Sequence, residues 1–113
     1  MKIITDEISR EELMEMSKKM FGNLVKAVVD IERGIMVVDA DLHADEEALL
    51  LENGSLQKDL WGINFYPELE GEDFVEFDSM INLRPAQGNR SRGVDDETMQ
   101  KKILEITNKL VRK

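Results

Sequence analysis

Apolar and polar residues recur with two different periods along this chain, and the switches between them predict its elements. Ser9-Arg10-Glu11-Glu12 reads as a capping box, with serine at the cap and glutamate three residues on. Leu13, Met16 and Met20 then share one helical face, and Gly22 supplies a residue suited to ending a helix, so a helix is expected over about residues 10–21. The period then falls to two. Val25, Ala27, Val29 and Ile31 alternate with Lys26, Val28, Asp30 and Glu32, which marks a strand with one buried face. Arg33-Gly34 predicts a turn. Residues 35–42 predict the returning strand of a hairpin, with Asp39 and Asp41 on one side and Val38, Ala40 and Leu42 on the other.

The segment His43-Ala44-Asp45-Glu46-Glu47 reads as a polar connection, and 48–52 as a short apolar strand before the hairpin signal Asn53-Gly54. Residues 60–66 predict another strand, with Trp61, Ile63 and Phe65 opposite Gly62, Asn64 and Tyr66. Residues 67–73 form an acidic loop. A last strand is expected over 74–84, ended by Pro85. After a loop at 85–94, Asp95 is placed to cap a second helix, whose apolar stripe is Met99, Ile103, Ile106 and Leu110. The expected fold class is therefore α+β: a single domain over 1–113, in the order α-β-β-β-β-β-α. Its sheet is mainly antiparallel, with two terminal helices packed on it.

Composition narrows the function classes. The 113 residues contain no cysteine, which excludes a disulfide framework, a thiolate metal site and a cysteine nucleophile. No apolar run approaches the roughly 20 residues of a membrane span, so no membrane partner is expected, and the expected location is cytoplasmic. The formal net charge of -9 makes an extended nucleic acid an unfavourable partner, since such proteins need a basic face.

Dividing the chain changes the meaning of that charge. Residues 1–33 carry a net -1, residues 34–83 a net -12, and residues 84–113 a net +4. The stretch from Ser79 to Val94 holds no acid and contains Arg84, Arg90 and Arg92. Guanidinium groups bind phosphate and carboxylate bidentately, and glycines let backbone amides approach an anion. This loop, with Arg84, Gln87, Asn89, Arg90 and Arg92, is the candidate binding site for a small anionic or phosphate-bearing ligand. The competing expectation is that its arginines pair with the protein's own acids.

His43 is the single imidazole and the one side chain with an ordinary pKa near neutrality. It is the candidate catalytic residue, as acid or base in a hydrolase or nuclease whose arginines stabilise a developing oxyanion. No metal site and no particular cofactor is indicated. The polar residues Asp39, Asp41, Asn64, Asp78, Asn82 and Arg84 are expected on a solvated sheet face. A third function class is a non-enzymatic homo-oligomeric interaction protein, for example a homodimer, joined through an edge strand or through the Met14 and Phe21 side of the first helix.

Three strings carry a family resemblance. They are Leu42-His43-Ala44-Asp45-Glu46-Glu47-Ala48-Leu49-Leu50-Leu51; Leu60-Trp61-Gly62-Ile63-Asn64 with Tyr66-Pro67; and Phe77-Asp78-Ser79-Met80-Ile81-Asn82-Leu83-Arg84-Pro85 running into Gln87-Gly88-Asn89-Arg90-Ser91-Arg92-Gly93. The chain resembles, over nearly its whole length, an uncharacterised domain-of-unknown-function family of short prokaryotic proteins. The resemblance implies a self-contained domain and transfers no catalytic residue and no cofactor.

Overall fold

The computed structural model describes residues 1–112. Its centre is a five-stranded antiparallel sheet in the order β1-β4-β3-β5-β6, built from β1 (Lys2–Ile4), β4 (Ile35–Val38), β3 (Val25–Asp30), β5 (Leu60–Phe65) and β6 (Val75–Glu76). The α+β class and the antiparallel pairing follow the alternation in the sequence. Ala27 faces Val38 on one side and Ile63 on the other, and Val29 faces Met36 and Trp61. These residues form one apolar sheet face. Helices α1 (Arg10–Met20) and α3 (Glu97–Leu110) cover it with Leu13, Ile103 and Leu110, each at most 1% exposed.

The helix ends obey local chemistry. Ser9 Oγ accepts from the Glu12 amide at 3.1 Å, as the capping box predicts. Gly22, with φ 91°, turns the chain out of α1. Asp96, one residue later than expected, caps α3 by accepting from Thr98 N. A two-stranded parallel ribbon pairs β2 (Ile8–Ser9) with β7 (Val111–Arg112) and ties the segment before α1 to the end of α3.

Three segments depart from the expected order. Lys2–Ile4, too short to show a period, adds a strand on the outer edge of β4. Residues 43–52 are neither a connection nor a strand: they form helix α2 (His43–Glu52), packed on the second face of the sheet. Its inward positions are His43, Glu46 and Leu50, spaced three and four apart. Two of these are polar, so the helical period is invisible to a reading that looks for apolar residues.

The third departure is 74–84, where the strand stops after Glu76. The Asn82 side chain takes the place of a strand there. Its Oδ1 accepts from Gly62 N at 2.8 Å and its Nδ2 donates to Gly62 O at 2.9 Å. A carboxamide carries the same donor and acceptor as a peptide unit, so it completes the β5 edge without an extended backbone. Ser79 lies so close that a Cβ added at Gly62 would sit 2.5 Å from Ser79 Cβ. Only glycine admits this approach.

Candidate functional site

The sheet register sets a row of polar side chains on the face under α2. Lys26 on β3 stands opposite Asn64 on β5, and Asn64 stands opposite Glu76 on β6. Paired residues project to the same side, so three neighbouring strands present an ammonium, a carboxamide and a carboxylate in line. Tyr66 is two residues beyond Asn64 on that side. The first residues of α2 come down beside the row, and the segment 78–81 and Arg92 close the far wall. The result is a cleft of about 420 Å³, whose lining includes Lys26, His43, Asn64, Tyr66, Glu76 and Arg92. Leu42 and Met80, both more than half exposed, stand at this cleft as apolar residues.

Hydrogen bonds fix how the floor is oriented. Asn64 Nδ2 donates to Glu76 Oε1 at 2.9 Å and to Asp78 O at 3.3 Å. Both partners are acceptors, which settles which end of the amide is nitrogen. Tyr66 Oη donates to the same carboxylate oxygen at 3.1 Å. Burial, followed by that bond, holds the Tyr66 phenol above its ordinary pKa. Asn64 is 6% exposed, and its Oδ1 has no hydrogen-bond partner. A buried acceptor left unpaired costs about 1–3 kcal/mol.

His43 occupies the first turn of α2, and its Nε2 lies 2.8 Å from Ile63 O. A carbonyl only accepts, so Nε2 carries a proton. Burial, with Lys26 adding to it, lowers the imidazole's pKa below 6.5; the bond to Ile63 O, the nearby Asn64 side chain and the charge of Asp78 oppose this. The neutral ring therefore has its lone pair on Nδ1.

The charge of the cleft is mixed. Arg92 Nε pairs with Asp78 Oδ1 at 2.9 Å. Lys26 Nζ stands 4.9 Å from the centre of the exposed Phe21 ring, a cation–π contact. Helix α2 begins at Leu42, which has no side chain able to cap, and no other side chain caps it. The amides of its first turn therefore present the positive end of the helix. One turn further in, Glu46 is fully buried with both carboxylate oxygens unpartnered. Burial pushes it up to about 10, against the opposing effects of the nearby Ala40 backbone and the charge of Lys26, so it is protonated at neutral pH.

The arginines of the 84–92 loop do not converge. Arg84 reaches back to Gln57 O at 2.5 Å and Leu60 O at 2.8 Å, and lies 4.1 Å from the centre of the Trp61 ring. Asn89 is buried; its Nδ2 donates to Asn82 O and Gly93 O, and its Oδ1 accepts from Asp95 N. Both side chains hold the loop's shape. Gln87 and Arg90 point away as exposed residues, and Asp95 closes the loop by accepting from Arg90 N and Ser91 Oγ, which lowers its own pKa. Arg92 alone of the five lines the cleft, as His43 does.

The expected pairing of loop arginines with the protein's acids holds for Arg92 and not for Arg84, whose partners are carbonyls. The polar sheet face expected from Asp39, Asp41, Asn64, Asp78, Asn82 and Arg84 does not form: Asn64 alone lies on a strand, Asp39 and Asp41 follow the end of β4, the other three follow the end of β6, and Asn64 and Asn82 are buried. Lys26, Tyr66 and Glu76 were outside the sequence reading of the site. Their signal is the register of three strands, which becomes visible only once the pairing is known. Among the described residues, no three or more His, Asp or Glu side chains are grouped to hold a metal ion, and no helix is long and apolar enough to cross a membrane.

No curated protein and no solved structure is detectably similar to the chain. A family model described as a protein of unknown function (DUF5674) matches residues 2–110, and the chain belongs to that family.

Proposed function

We propose that the cleft at the start of α2 is a binding site for a small ligand bearing an oxyanion, a phosphate or a carboxylate. The observation that carries this reading is the meeting of an uncapped helix start with Lys26 and Arg92 in one cleft. A helix start and two cations favour an anion. Arg92 changes partner from Asp78 to the ligand. The Arg84, Gln87, Asn89 and Arg90 part of the loop supports Arg92 from behind.

Isothermal titration with inorganic phosphate at low salt tests this. Binding is expected for the native chain, with affinity reduced at least tenfold in both Lys26→Met and Arg92→Met, because each removes one full charge from the site. Affinity unchanged from the native chain in both variants overturns the reading, since it would place the anion elsewhere.

A further inference from the structure

The charges and acceptors around the cleft describe a more specific ligand than an anion alone. On one side stand Lys26 and the first amides of α2. On the other, within the same row, stand the Glu76 carboxylate and Asn64 Oδ1. Arg92 pairs with Asp78 at 2.9 Å in the unliganded chain, and Lys26 and Glu76 are an unlike pair at opposite ends of the row, separated by Asn64. Glu76 Oε1 already accepts from Asn64 and Tyr66, so that carboxylate is held in place while Oδ1 of Asn64 stays empty. A simple anion satisfies the Lys26 end only.

We propose that the ligand is bifunctional: an oxyanion at the Lys26 and α2 end, and a hydrogen-bond donor, an ammonium or a hydroxyl, received by Asn64 Oδ1 beside Glu76. The proposal rests on the anion-binding reading and adds the second group. A site with buried acceptors discriminates strongly against a ligand that lacks the matching donor, because binding such a ligand seals the acceptors away from water unpaired.

Three phosphate monoesters of equal length separate the two ideas. These are phosphoethanolamine, which ends in an ammonium, 2-hydroxyethyl phosphate, which ends in a hydroxyl, and propyl phosphate, which ends in a methyl group. Isothermal titration of the native chain is expected to show the first two binding at least tenfold more tightly than the third. In Asn64→Leu that advantage is expected to vanish; thermal unfolding of the variant confirms its fold. A preference undiminished in a folded Asn64→Leu variant overturns the assignment of the donor to Asn64. Equal binding of all three esters to the native chain overturns the donor proposal and leaves anion binding standing. Absence of binding by all three overturns both, and the native-chain comparison needs no variant to fold.

Discussion

The two faces of the sheet are built on opposite terms. On the face under α1 and α3, Ala27, Val29, Met36, Val38, Ile63 and Phe65 meet Leu13 and Ile103, and every one of these side chains is fully buried and apolar. On the face under α2, an apolar patch of Val28, Val37, Leu50 and Leu60 covers one end only. The other end holds Lys26, His43, Glu46 and Asn64. The first face maximises area removed from water. The second keeps a neutral imidazole, a protonated carboxyl and an unpaired amide oxygen out of solvent, each at a cost. Stability is drawn from one side of a single sheet, and chemistry is concentrated on the other.

The largest test of the contrast is removal of bulk from the apolar face. Phe65→Ala is expected to cost about 3–5 kcal/mol, from lost burial and the cavity left behind, read from urea unfolding midpoints. A cost below about 1 kcal/mol, well under the range for such cavities, would mean that this face is not the main source of stability.

Glu46→Gln acts in the opposite sense and through pH. The folded-state pKa of Glu46 is pushed up to about 10 from an ordinary value of 4.5. Its raised pKa means that its contribution is fully favourable below pH 4.5 and is lost progressively as the pH rises towards about 10, because folding must then take up a proton. Relative to Glu46→Gln, the native chain should lose stability between pH 5 and 8, by at most about 1.4 kcal/mol per pH unit. Parallel stability profiles for the two chains would show that Glu46 is ionised in the fold.

Asp78→Asn gives the smallest stability effect and sharpens the functional side of the comparison. The Arg92–Asp78 pair is about half exposed on both sides, with side-chain exposures of 55% and 42%. Such a pair is worth about 0–1 kcal/mol, so unfolding midpoints should barely move. Phosphate affinity should rise, since Arg92 is released and a like charge is removed from beside the anion. Weaker binding in this variant would show that Asp78 orients Arg92 rather than competing for it.

The same contrast explains what could be read from the sequence. Alternation at 25–31 and 60–66, the stripe Met99–Leu110 and the cap at Ser9 are all rules of apolar burial and local hydrogen bonding, and each produced the element expected. Helix α2 was hidden because His43 and Glu46 take the inward positions that periodicity reserves for apolar residues. The false strand at 77–84 has a related cause. Ile81 and Leu83 alternate with polar residues as a strand would, yet Asn82 turns its amide onto Gly62 and ends the ladder. The charge map did find Arg92 and the imidazole His43 as residues of interest. It could not join them to Lys26, Asn64 and Glu76, because that constellation depends on cross-strand register and on where α2 lands.

The central claim is that the second face, at the start of α2, receives an anion. An amide-resolved NMR titration with inorganic phosphate at low ionic strength tests it most directly, because the helix-start amides themselves are the reporters. The account predicts saturable shifts of the His43 and Ala44 amides, accompanied by the Asn64 side-chain amide. Shifts confined to residues 87–91 of the arginine loop, with α2 unmoved, would contradict it.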